Sequence, residues 1–216
     1  TLNVWPFALP QTRHFALITG VDTAALVKQH LEVNGRPYAP ARLTFDDPLF
    51  SRAAAVIDDT MRLLHEHRCS PLMSDVQPLR RIASDGTLEL DWGDYDRLVS
   101  SLIDGTAFED RAAAIAWPLP ISEREPAPEV FGGWGSETYN RMLADYLRQC
   151  VLHFEHRGWL DRHFLWISVP AAERGERYRQ FEQLGRLARA VDPRINVVCD
   201  LTPEPMTDYG WRDDPF

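Results

Sequence analysis

Long apolar runs are missing from this 216-residue chain. The longest, at 112–116 and 164–167, fall far short of the roughly 20 residues that a membrane-spanning helix needs, which excludes a transmembrane span. No signal peptide is legible at the start either. The chain begins on Thr1, and Thr1-Leu2-Asn3-Val4-Trp5 reads like a strand in mid-flow, so a chain processed or excised from a longer one is expected. Basic charge is in short supply: 23 Lys and Arg face 32 Asp and Glu, a formal net charge of -9. The basic residues are scattered rather than gathered in a stripe, and this excludes nucleic acid as a partner. The three cysteines, Cys69, Cys150 and Cys199, show no CxxC spacing and cannot all pair. They read as small buried hydrophobes and leave the compartment open. Neither GxGxxG nor GxxxxGK[ST] occurs, and the glycine cluster Gly132-Gly133-Trp134-Gly135 follows no strand, so no phosphate-cradling loop is present. His65 and His67 face different directions on a helix, and His153 and His156 lack a third ligand, so neither a metal site nor a cofactor is expected.

What is there suffices for a packed domain: 44% of residues are hydrophobic and 25% charged. Short apolar runs alternate with longer amphipathic stretches, the pattern of an α/β chain. The first strand runs over Phe15-Ala16-Leu17-Ile18 and closes at Gly20, and a Pro- and Gly-rich loop around Asn34-Gly35-Arg36-Pro37 follows. Asp47-Pro48 opens a helix whose apolar positions are Val56, Ile57, Met61 and Leu64 and whose end is near His67-Arg68. A second strand is expected at Cys69-Ser70-Pro71-Leu72-Met73. Asp85-Gly86 then turns a hairpin within 79–90, and Asp91 caps a helix bearing Trp92, Tyr95, Leu98, Val99, Leu102 and Ile103 on one face. Residues 112–117 form the third strand. The strongest helix carries Tyr139, Met142, Leu143, Tyr146, Leu147, Cys150, Val151 and Phe154, capped by Ser136 and closed by Gly158. The fourth strand is Phe164-Leu165-Trp166-Ile167. A helix on Tyr178, Phe181, Leu184, Leu187 and Val191 ends at Asp192-Pro193, and the fifth strand, Ile195-Asn196-Val197-Val198-Cys199, delivers Asp200.

Right-handed crossovers give either a doubly wound sheet or a barrel, and without a nucleotide loop the barrel is preferred. The expected fold is therefore α/β, a (β/α)8 TIM-barrel-like arrangement that is incomplete, with about five β/α units in one domain over 1–216. In such a barrel chemistry sits at the C-terminal ends of the strands.

Several phrases resemble the catalytic barrel of family-123 glycoside hydrolases and related glycoside-hydrolase-like domains. Leu2-Asn3-Val4-Trp5-Pro6-Phe7-Ala8-Leu9-Pro10 is similar to the "VWDFxLP" segment that follows an upstream β-sandwich, with Pro6 in place of the acid. Glu66-His67-Arg68-Cys69-Ser70-Pro71 resembles "EHRISP", Asp91-Trp92-Gly93-Asp94-Tyr95-Asp96 resembles "DWSDYD", and 156–162, reading HRGWLDR, resembles "EKGWLDR". The resemblance implies that residues 1–12 are a linker from an upstream β-sandwich domain and that the last three barrel strands lie beyond Phe216, since a full barrel takes about 250 residues. It also implies a carbohydrate ligand, glycosides of the N-acetylhexosamine type, and a secreted or periplasmic setting. The family's Asp-Glu pair stands at the end of the fourth strand in a phrase like "DEP", where the Glu is the general acid and the Asp orients the substrate's own 2-acetamido group. Here that phrase is Ser168-Val169-Pro170. Losing a positioned acid forfeits about 10²–10⁴-fold in rate, so the family mechanism does not carry over to Ser168 and Val169.

Asp75, Asp200 and Glu204 are the carboxylates placed to take over, as catalytic groups of a glycoside hydrolase or as hydrogen-bonding groups for sugar hydroxyls. An Asp just past a strand also commonly closes a turn with its own backbone. Trp117, Trp134 and Trp166 are candidate sugar-stacking faces, although Trp166 alternates with Leu165 and Ile167 as a packing residue would, and His14 is a candidate hydrogen-bonding group. The second reading is a non-catalytic module that binds glycans or other domains through the same rim.

Overall fold

The structure is a computed structural model, and it describes residues 16–39, 46–73, 75–84, 86–121, 126–168 and 174–199. The elements run β1 (Leu17–Gly20), α1 (Thr23–His30), β2 (Glu32–Val33), β3 (Arg36–Pro37), α2 (Phe50–Glu66), β4 (Cys69–Leu72), β5 (Leu79–Ile82), β6 (Leu88–Asp91), α3 (Gly93–Ile103), β7 (Trp117–Pro118), α4 (Glu137–His156), β8 (His163–Ile167), α5 (Arg174–Val191) and β9 (Val197–Cys199). The architecture is α/β, as expected. β1 pairs with β4 in parallel, Leu17 opposite Cys69, while β8 pairs in parallel with β7 on one side and β9 on the other. β4 lies against β7 without a ladder between them. Among the described residues the ladders form separate small sheets and no closed barrel. Within the paired sets the strands run parallel, β1 beside β4 and, separately, β7, β8 and β9 in that order.

Two expectations change. Residues 23–30, passed over in the sequence, form α1. Asp22 caps it, its Oδ1 accepting from the Ala25 N–H at 2.8 Å, but Val27 is its only fully buried apolar side chain and no stripe advertises it. The third strand shrinks from 112–117 to Trp117–Pro118. The Ala114 N–H bonds the Ile103 carbonyl at the end of α3 instead of a neighbouring strand, and Pro118 and Pro120 have no N–H to give. The hairpin, in contrast, forms around Gly86 as β5–β6. α2 begins three residues after Asp47, whose Oδ1 accepts from the Leu49 N–H in a local turn.

The core lies between α2, α3, α4 and the strands. Seven of the eight apolar positions expected on α4 are buried, with Met142 partly so, and Ser136 caps the helix through the Tyr139 N–H at 3.1 Å. α3 and α4 are joined by an interlock of side chains. Trp92 stacks on His153 with ring centroids 4.0 Å apart and planes within 3°. The His153 Nε2–H donates to Asp96 at 2.8 Å, and the Trp159 indole N–H donates to Asp104 at 2.7 Å. Arg157 lies over the Trp159 ring, 4.7 Å from its centroid, and donates to the Ser100 hydroxyl at 2.7 Å.

The loop that leaves α3 turns on Gly105, at φ +79. A Cβ there would lie 2.5 Å from the Ala112 carbonyl carbon and oxygen, so both the turn and the close approach require glycine. His65 of α2 pins the same loop by bonding Asp110 at 2.9 Å and stacking on Phe108 at 3.8 Å.

Gly105→Ala therefore costs about 2–4 kcal/mol, combining backbone strain and overpacking, and lowers the thermal midpoint by roughly 5–15 °C in a calorimetric scan. Burial holds the His153 pKa below the ordinary 6.5, against the opposing pull of Asp96. The folded protein thus binds this proton less readily than the unfolded chain, and the stability that neutral His153 contributes is complete above pH 6.5 and is lost as pH falls below it. NMR titration should place the His153 midpoint under 6.5, and His153→Gln should flatten the fall in stability between pH 7.5 and 5.5.

Candidate functional site

A cleft of about 810 Å³ opens where β1, β4 and β8 end, at Gly20, Leu72 and Ser168. These are the C-terminal ends of parallel strands, where helix N-termini and loop residues converge. Its polar lining comes from Asp22, Asp75, Gln77 and Ser168. Its aromatic lining comes from Trp134, Tyr139 and Trp166, and the Trp134 and Tyr139 rings sit 4.9 Å apart, tilted by 48°. Leucines of α4 and α5 and the buried Leu165 and Ile167 of β8 complete the floor.

Each side chain is aimed by local structure. Asp75 follows β4, and its Oδ2 accepts from the Thr23 hydroxyl at 2.5 Å and the Ala24 N–H at 3.0 Å. It therefore shares with Asp22 the task of satisfying the first amides of α1, where carboxylates are favoured by the orphan N–H groups and the helix dipole. Trp134 lies in the turn between the 3₁₀ segment Pro128–Phe131 and α4, whose backbone needs positive φ at Gly132, Gly133 and Gly135. Its indole N–H is buried without a hydrogen-bond partner among the described residues. Burial, with Glu129 nearby as the lesser cause, pushes the Tyr139 pKa far above its ordinary value, so the phenol stays neutral.

Of the expected site residues, Asp75, Ser168, Trp134 and Trp166 meet in this one cleft. Trp117 does not. It is 2% exposed and its indole N–H donates to the Tyr95 hydroxyl at 3.3 Å, so it offers no open face to a sugar. The ring fills the space between β7 and α3, which the position of Trp117 beside Pro118 at a strand end did not reveal. His14, Val169, Asp200 and Glu204 lie outside the described residues. Asp22, Gln77 and Tyr139 are the lining residues that sequence reasoning missed. Asp22 stands two residues past the end of the first strand, and Gln77 two past Asp75, so a slightly wider reading of the strand ends would have included both.

Among the described residues no three His, Cys, Asp or Glu side chains gather as a metal site would require, and no helix is long and apolar enough to cross a membrane. No protein-family model matches the chain, and a search of curated proteins finds no match.

If Asp75 acts as an accessory cap, Asp75→Ala should destabilise the fold by about 1–2 kcal/mol. Asp75→Asn, whose amide oxygen still accepts from Thr23 and Ala24, should lose less than half of that, and urea unfolding of the two variants measures the difference.

Proposed function

We propose that this chain supplies five β/α units of a TIM-barrel-like, carbohydrate-active domain related to family-123 glycoside hydrolases, and that its cleft binds a hexose or hexosamine without the family's hydrolytic step. One observation carries the reading: two partly exposed aromatic side chains, Trp134 and Trp166, backed by the buried ring of Tyr139, share an 810 Å³ cleft with Asp22, Asp75, Gln77 and Ser168. Sugars present apolar C–H faces and polar edges, so aromatic surface beside convergent hydrogen-bonding groups suits them. Parallel pairing in chain order within each paired set and a cleft at the C-terminal ends of the strands favour a barrel over a doubly wound sheet.

The non-hydrolytic half of the proposal rests on two points. Ser168, at the position of the family's Asp, carries neither charge nor acidic proton. Asp75 is engaged as an acceptor at the start of α1 through Oδ2, whereas glycoside hydrolysis asks for two free carboxyl groups astride the bond, about 5–9.5 Å apart.

Titration of tryptophan fluorescence with galactose and N-acetylgalactosamine tests the binding. A saturable change is expected, weakened about two- to tenfold by Trp134→Ala or Trp166→Ala, the range for loss of an aromatic contact. Chromogenic galactosides and N-acetylgalactosaminides should release no chromophore above background. Turnover abolished by Asp75→Asn would instead establish the hydrolase reading, and absence of any sugar-induced change would refute the proposal.

A further inference from the structure

We infer that the cleft selects a sugar bearing a free, protonated amine over neutral sugars and rejects acidic ones. This rests on the sugar-binding reading and narrows its ligand class. Asp22 and Asp75 both line the cleft, and none of its described lining residues is Lys, Arg or His. The N-terminus of α1, on which both carboxylates sit, carries only about half a positive charge. Two carboxylates are therefore compensated in part, and the described lining gives the cleft a negative field. Gln77 and Ser168 are uncharged and do not alter that balance.

The remaining lining reinforces the same sign. Aromatic ring faces attract cations, and the partly exposed Trp134 and Trp166 both border the space. A uronic acid or a sulfated sugar would lose hydration there and meet no counter-cation among the described residues, which is the costly way to bury a charge. An ammonium group exchanges hydration for carboxylate oxygens and ring faces. Both acids can meet it while keeping their bonds to α1, because those of Asp75 fall on Oδ2 and that of Asp22 on Oδ1, and a carboxylate has about four acceptor positions over its two oxygens.

Calorimetric titration of the whole chain at pH 6.5 with galactosamine, galactose and galacturonic acid reads the inference directly. Galactosamine is expected to bind about five- to tenfold more tightly than galactose, as one partly shielded ion pair would give. Galacturonic acid is expected to bind more weakly than either. Asp75→Asn should bring galactosamine closer to the level of galactose, and 0.5 M NaCl should narrow the gap. Galactose binding as tightly as galactosamine, or galacturonic acid binding best, overturns the inference and leaves the sugar site standing. Cyclohexylammonium and cyclohexanecarboxylate put the charge question without a sugar ring. If no sugar binds, the proposed function falls, and capture of the amine but not the carboxylate still supports the charge selection. Capture of the carboxylate, or of neither, overturns it.

Discussion

The interlock of α3 with α4 is the constraint on which the positions of β7 and β8 depend. β7 pairs with β8 over two residues only, and the prolines at 118 and 120 withhold the N–H groups that would lengthen the ladder. A register held by so few bonds cannot by itself fix how β7 sits on β8, whose C-terminal half pairs with β9 over three residues. α3 leads into β7 and α4 leads through Trp159 into β8, so whatever locks the two helices also sets the two strands. The bonds of Trp159 to Asp104, His153 to Asp96 and Arg157 to Ser100, with the Trp92–His153 stack, do this. Hydrogen bonds to charged groups contribute about 1.5–3 kcal/mol each and aromatic pairs about 0.5–1.5. Four such contacts outweigh two or three ladder bonds at about 1 kcal/mol each.

That division of labour separates scaffold from chemistry along one strand. Trp159 stands just before the N-terminal end of β8, and Ser168 just after its C-terminal end, in the cleft. Trp92, Asp96, Arg157 and Trp159, which carry much of the resemblance to glycoside hydrolases, belong to the joint, and none of them lines the cleft. They speak for an architecture. Ser168, where the resemblance expects the acidic pair to begin, stands at the other end of β8 in the cleft.

Legibility followed the strength of the local signal. α4 was fully readable because seven buried positions recur at helical spacing between a serine cap and Gly158. α1 was not, because a short helix that buries one threonine and one valine writes no stripe. Missing α1 also hid the role of Asp75, since a carboxylate can be recognised as a cap only when the helix it caps has been seen. The run 112–116 reads as a strand because it is short and apolar, but apolar character says nothing about which neighbour supplies hydrogen bonds, and here α3 accepts from the Ala114 N–H. Trp117 was misjudged for a related reason. A strand end in the sequence does not say whether a ring turns toward the cleft or toward the helices, and the Tyr95 hydroxyl draws it inward.

Asp75 links these threads. It follows β4, it accepts from α1, and it lines the cleft, so one carboxylate ties a strand end to a helix start while facing a ligand space. The bonds to Thr23 and Ala24 restrict its rotamer, which positions its charge at little entropic cost when a ligand arrives. A fixed negative charge beside aromatic faces is suited to holding a polar or cationic group in place.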